Sequence, residues 1–445
     1  MTETPSARLE AIPAAQTASH NGGLLGRRIQ IAGLSLAASL LILIHYSTFV
    51  DGFIFPAIFY QKELSLAGQL ASLVMAVAPS LWMPNRLGRV SDPIVLTLYL
   101  IGYLPIALLL PRLTHNGVSG FASVAAVLAG MGLIEFMRNL PHIRTTVSLQ
   151  DPVLFRRGLI LASLICTIVA LAAYGMPTQL IGLDYVYVAR GDFNAEASAG
   201  LLNTAANYLI HWNLIVFLPY ICVTSVGRRS TTFSVAYFFI TAFLYFNITT
   251  YQIMLMIPAA LLGFYFIYRD GSRRNLSVIV GGFCVLLIAG GLISWLFRGT
   301  ELELVASMPV YRFVHIAGML GSLYLDSFNI VQTVKAVEGV HPGYVIGSLY
   351  FGDDTMLATT SFWFIAFSEF RYIGILAVSA LLGLYLWVLD CVVDRSFAVL
   401  IFSLSGIIAY FLAGAGLGTA MVTYGLIPLL ALCALAPRLR AGREA

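Results

Sequence analysis

The sequence predicts an all-α polytopic membrane protein, and three observations predict it: the composition, the recurring length of the apolar runs, and the placement of basic residues. Of 445 residues, 59% are hydrophobic and only 10% charged, and the mean hydropathy is +0.87. So little polar surface cannot cover a water-soluble globule, and lipid must be most of the solvent. A hydrocarbon core about 30 Å thick takes roughly 20 apolar residues at about 1.5 Å each. By that ruler there are about twelve spans, near 29–49, 64–83, 94–111, 117–137, 158–176, 201–226, 231–247, 249–268, 276–296, 372–389, 396–413 and 420–436.

Basic residues beside spans are retained on the cytoplasmic side. With the N-terminus inside, 18 of the 25 Lys and Arg fall in internal segments, among them Arg27, Arg28, Arg89, Arg138, Arg156, Arg157, Arg273 and Arg274. Lys62, Arg112, Arg190, Arg298, Arg312, Lys335 and Arg371 stay outside. The pattern implies both termini in the cytoplasm and accounts for the net charge of +4 without a nucleic-acid partner.

In chain order, residues 1–28, rich in Ala, Ser and Thr, are expected to be a disordered cytoplasmic tail, and residues 29–445 a single transmembrane domain. The run from Ile29 to Phe49 is longer than a signal-peptide core and lacks a small-x-small cleavage site, so an uncleaved anchor is expected. Cys166, Cys222, Cys284, Cys391 and Cys433 lie in or at the edges of spans, which excludes a disulfide framework in the outer loops. No CxxC or His-rich spacing suggests a metal, and neither a Walker A motif nor a soluble nucleotide-binding domain is present. No cofactor is expected.

The inside connections are short and basic. Outside, two loops are long, about 177–200 and 297–371, and 12 of the 21 acidic residues fall on that side. Long loops on a bundle carry function or are disordered, and the aromatics in these two argue for order. The first reads "PTQLIGLDYVYVARGDFNAEASAG", with Tyr185 and Tyr187 alternating with valines up to Arg190, then Asp192 and Asn194. In the second, Arg312, His315, Met319, Ser322 and Asp326 recur at spacings of three and four, opposite an apolar stripe of Phe313, Ile316, Leu320 and Leu323. That pattern predicts an amphipathic helix at the outer membrane–water interface. Gly318 and Gly321 within it each cost about 1 kcal/mol of helix propensity relative to Ala, which implies close approach to another helix or a ligand.

The run Ser361–Leu389 is too long for one crossing and carries Glu369 and Arg371. Because a charge at mid-bilayer costs at least about 3 kcal/mol, Tyr372–Leu389 is taken as the crossing and Ser361–Arg371 as a short helix or re-entrant piece at the outer boundary. Two residues apart on a helix, Glu369 and Arg371 would face opposite ways.

Three stretches, in order, resemble the Wzy-type polysaccharide polymerases, which join lipid-linked repeat units into O-antigen or exopolysaccharide. "DYVYVARGDFN" is similar to an outer loop in which Tyr187 and Arg190 take the family's tyrosine and arginine places. "YRFVHIAGMLGSLYLDSF" is similar to the arginine-led helix, with Arg312 and Tyr324 matching. "GYVIGSLYFGDDTMLATTSFWFIAFSEFRYIGIL" is similar to the segment opening the next span, with Gly347, Tyr350, Phe351, Gly352 and Gly374 as matches. Several positions depart from the pattern: Gln252 stands where many relatives carry a lysine, Thr359, Thr360 and Ser361 where they often carry an Asn-Thr and then an aspartate or asparagine, and Arg371 where a glycine is expected.

The resemblance implies glycosyl transfer at the outer face of the bacterial inner membrane. The donor is a chain on a polyprenyl diphosphate and the acceptor a hydroxyl of the next lipid-linked oligosaccharide; a flippase and a chain-length regulator are the implied partners. Such a site needs fixed cations where the leaving diphosphate gains charge, and Arg190, Arg312 and Arg371 are the candidates. The base is sought among His315, Glu369 and Asp192, with Asp353 further back, while Tyr187 and Tyr324, with Tyr185 and Tyr311, are candidates for stacking on sugar rings. Two alternatives stand beside this expectation: an O-antigen ligase or other lipid-linked-sugar transferase, and, in another class, a flippase for the same lipids.

Overall fold

The structure, a computed structural model, describes residues 20–50, 63–84, 88–141, 143, 151–177, 193, 200–226, 230–249, 251, 253–269, 277–298, 300, 310–330, 340–393 and 398–437. The described elements are helices, with no strand among them. Nine described helices are long and apolar enough to cross a membrane: Arg28–Thr48, Asp92–Leu113, Gly117–Arg138, Pro152–Tyr174, Leu201–Ser225, Thr231–Thr249, Ser277–Leu296, Phe362–Val392 and Leu417–Leu435. Shorter apolar helices, Leu66–Leu81, Met254–Tyr265 and Ala398–Gly414, fall where the remaining apolar runs were expected. Helix His20–His45 begins inside the stretch expected to be a disordered tail; residues 1–19 lie outside the described residues.

Local chemistry sets the helix starts. Asp151 accepts from the backbone N–H groups of Val153 and Leu154, and Asn116 from that of Val118, each supplying an acceptor to donors a helix N-terminus leaves orphaned. Asp92–Leu113, apolar all round, is enclosed on every side and forms the hub of the bundle.

One end of the bundle is closed by a buried ionic cluster. Arg138, 2% exposed, reaches Asp92 Oδ1 at 2.5 Å and Glu135 Oε2 at 2.6 Å, and donates to Ser91 Oγ at 3.0 Å. Ser91 in turn donates through its hydroxyl and its N–H to the two oxygens of Asp390 at 2.6 and 2.9 Å. The Arg89 guanidinium caps the Arg138 carbonyl. Three helix ends are thereby joined in a low-dielectric setting, where each charge is tolerated because it is bonded.

Phe362–Val392 is not one rod. Arg371 has φ 56° and ψ −144°, and the chain reverses there. The proof of reversal is the bond from Trp363 Nε1 to Ser379 Oγ at 3.0 Å; on a straight helix sixteen residues would separate them by about 24 Å. Gly374 permits the tight return, since a Cβ there would collide with the Ala366 carbonyl. The Trp363 end lies against Gly102 and Gly130, each near the middle of its own span, so residues 362–370 start at mid-bundle and rise to Arg371, while 372–392 descends to Asp390. Contrary to expectation, residues 361–367 therefore do not lie at the boundary of the bundle but are buried inside it. The expected placement of Glu369 and Arg371 on opposite faces of one helix is not found, because the helix does not continue through Arg371.

The helix with the polar stripe, Ile316–Ile330 after a wide turn at Tyr311–His315, does not lie at an interface. It dips into the bundle along Asp92–Leu113, and both its faces are buried. A Cβ on Gly318 would sit 2.7 Å from Pro105 O, and one on Gly321 2.8 Å from the Phe364 ring, so both glycines mark close approach of other helices. The polar stripe finds partners inside instead of water: His315 meets His45, Ser322 donates to Met319 O, and Asp326 accepts from His115. This is the physical reason the amphipathic expectation failed.

Candidate functional site

Two inward-dipping helices now lie side by side, the one ending near Asp326 and the one ending at Arg371, with an extended chain between them. That chain is pinned by Tyr324 Oη donating to Ala358 O at 3.0 Å, by Thr360 Oγ1 donating to Ala317 O at 3.4 Å, and by the Ala358–Gly343 backbone bond. Ser361 and Thr360 are fully buried at its inner end.

The exposed tip of the hairpin carries the candidates. Glu369 is exposed and Arg371 is half-buried, its guanidinium carbon 5.7 Å from the centroid of the Phe367 ring. Phe367 is itself held edge-on by Tyr372 at 5.3 Å. The backbone at Arg371 is in the region that favours glycine, so an arginine there carries about 1–3 kcal/mol of strain. His341 stands close enough for the Glu369 carboxylate to act on it. The protein packed around His341 lowers its pKa and Glu369 opposes that shift. His341 Nδ1 accepts from Gly343 N at 3.0 Å as the cap of helix Pro342–Ile346, which leaves Nε2 as the nitrogen that can carry a proton in the neutral ring. Asp353, also exposed, accepts from the Thr355 hydroxyl at 2.6 Å and the Thr355 N–H at 2.8 Å. Those bonds hold its carboxyl below the ordinary range, which makes it a poor base.

The other expected residues are placed differently. His315 is 0% exposed, its Nε2 2.9 Å from His45 Nδ1, with Tyr46 edge-on at 5.7 Å. It is enclosed with the end of the first span and is not open to a ligand. Arg312 lies one turn earlier on the same helix and is half-buried. Tyr324 is 0% exposed and its hydroxyl is occupied, so its ring is a packing element against Phe328 and presents no face for a sugar. Tyr187, Arg190 and Asp192 lie outside the described residues, as does Tyr185; between Pro177 and Gly200 only Phe193 is described, packed between Tyr174 and Tyr251. Among the described residues no group of three metal-ligating side chains comes together.

Sequence reasoning passed over a polar face within the bundle. Asn203, Asn207 and His211 recur every four residues along Leu201–Ser225, a spacing legible in "NTAANYLIHWN". His211 is 4% exposed, and its ring lies 5.3 Å from Tyr424 and 6.3 Å from Tyr251. On another face of the same helix, Asn213 donates to Tyr245 Oη at 2.7 Å, an uncharged interhelical bond.

Compared with models of protein families, with curated proteins and with solved structures, the chain matches none.

Proposed function

We propose that the chain is a glycosyltransferase that polymerises polyprenyl-diphosphate-linked oligosaccharide units at the outer face of the bacterial inner membrane. In this reading the nine long and three shorter apolar helices make twelve crossings, with both termini in the cytoplasm and the Arg138 cluster on the inner side. A polymerase of this kind needs a fixed cation beside the leaving diphosphate and a base beside the acceptor hydroxyl, both facing outward.

The observation that carries the proposal is the setting of Arg371. Its backbone occupies a conformation in which a glycine would be free of strain, at the outer tip of a hairpin, two residues from exposed Glu369. Strain retained where a simpler residue would relieve it marks a side chain kept for its chemistry. Arginine is always protonated and binds phosphate oxygens in pairs. The acceptor hydroxyl attacks the anomeric carbon and its proton passes to the Glu369 carboxylate. The bond from that carbon to the diphosphate oxygen breaks, and the electron pair leaves with the diphosphate, whose added charge Arg371 stabilises. His341 stands beside Glu369 within range of its charge. Arg190 and Asp192 from the first outer loop, and Arg312, remain candidates for the rest of the lipid-linked substrate.

A flippase is the second reading, favoured by the two inward-dipping helices, since broken elements near mid-membrane are frequent in transporters. The test is complementation of a deletion strain with wild type, Arg371→Lys and Glu369→Gln, reading surface polysaccharide on a gel. Single repeat units without ladders in both variants, at normal expression, support the polymerase. Loss of all surface glycan with lipid-linked units held inside supports transport, and long chains trapped on the polyprenyl carrier support a ligase.

A further inference from the structure

The face of Leu201–Ser225 that carries Asn207 and His211 is chemically unusual for a membrane bundle. Asn207 Oδ1 is buried and has no hydrogen-bond partner. His211 Nδ1 sits 2.8 Å from Asn207 O. A carbonyl can only accept, so Nδ1 carries the proton and the Nε2 of the neutral ring is an acceptor. Two acceptors thus occur one helical turn apart, and an unsatisfied buried acceptor costs about 1–3 kcal/mol unless something donates to it.

The surroundings are aromatic and irregular. Tyr251 and Tyr424 flank the imidazole, and Tyr424 stacks on Phe411 with ring centroids 3.9 Å apart. Tyr424 belongs to a break in the last span, between Leu417–Val422 and Leu426–Leu435, where Gly425 has φ 79°. Trp212 Nε1 donates to Val422 O at 2.7 Å and so satisfies one carbonyl that the break frees. Irregular backbone at membrane depth is tolerated where it is buried in protein or lines a polar cavity. A donor is what the buried Asn207 Oδ1 lacks, which favours a neutral ligand rich in hydroxyl groups with an apolar face for the aromatic rings.

We propose that Asn207 and His211, walled by Tyr251 and Tyr424, bind a neutral sugar ring through its hydroxyl groups. The site is separate from the hairpin tip and does not rest on the transfer reaction, because a flippase for lipid-linked sugars would need it equally. The test is saturation-transfer NMR on the full chain in lipid nanodiscs. The probes are the methyl glycosides of glucose, galactose, mannose and N-acetylglucosamine. At least one should give a saturable signal with wild type. Asn207→Leu, which removes the buried acceptor without leaving an orphan, and His211→Phe should each weaken binding at least tenfold, with cooperative melting retained. Arg371→Lys should bind as wild type does, so that failure of the transferase reading leaves this result untouched. No saturable signal from any of the four glycosides, or wild-type binding by folded Asn207→Leu, would overturn the proposal.

Discussion

Trp363 donates its indole N–H to the Ser379 hydroxyl at 3.0 Å across sixteen residues of what the sequence presents as one apolar run. Ser379 also donates to Ile375 O at 2.7 Å, so its hydroxyl is an acceptor for one arm of the hairpin and a donor within the other. Ser379→Ala leaves a fully buried indole N–H without a partner and should cost about 1–3 kcal/mol. Trp363→Phe/Ser379→Ala should cost less than the two single changes together, because the orphan is removed with its partner. Thermal melting in detergent checks this, and strictly additive losses would show that the two side chains do not meet.

Arg371→Gly separates strain from chemistry. Glycine adopts φ 56° without steric cost, so the variant should be as stable as wild type or more so, by up to about 1–3 kcal/mol, while losing polymer formation. A less stable variant would place the guanidinium in the scaffold instead.

The ionic cluster at the other end is expected to be unforgiving. Arg138→Met strands Asp92 and Glu135 and should destabilise by about 3–5 kcal/mol. Adding Asp92→Asn should recover part of that loss, measured by the same melting curves.

Gly318→Val tests the inward dip of the polar-striped helix. Its Cβ would sit 2.7 Å from Pro105 O and 3.1 Å from Leu109 Cβ, so overpacking should cost about 1–3 kcal/mol. A helix lying free at the interface would accept the change with little effect on melting.

His341 supplies a pH dependence. Its folded pKa lies below the ordinary 6.5, so the unfolded chain binds a proton more readily between the two values. That contribution to stability is complete above 6.5 and is lost as pH falls through the folded value. Glu369→Gln removes the opposing charge, so the His341 titration should move further down, followed by NMR of nitrogen-labelled histidine. A titration that stayed in place or rose would break the link between the two residues.

Much of the fold was legible because the cost of polar groups in lipid is a strong and local constraint. The long apolar helices, the exposure of Glu369, and the close approach at Gly318 and Gly321 all follow from residue type and spacing. The reversal at Arg371 was legible only as a length excess, since its cause is a single dihedral. Burial of the His315 helix was not legible at all, because a polar stripe looks the same whether water or another side chain satisfies it; His45, which does so, is 270 residues away. Asn207 and His211 were not legible for a related reason: neutral polar side chains within an apolar run have the same spacing as ordinary interhelical contacts.

The most direct measurement is polymerisation by the purified full chain in proteoliposomes supplied with polyprenyl-diphosphate-linked oligosaccharide on the outer face. Wild type should extend the lipid-linked units into a ladder without nucleotide, and Arg371→Lys, folded to the same melting temperature, should not. A ladder from Arg371→Lys equal to that of wild type, or units that cross the bilayer without being joined, would contradict the assignment of transfer chemistry to the hairpin tip.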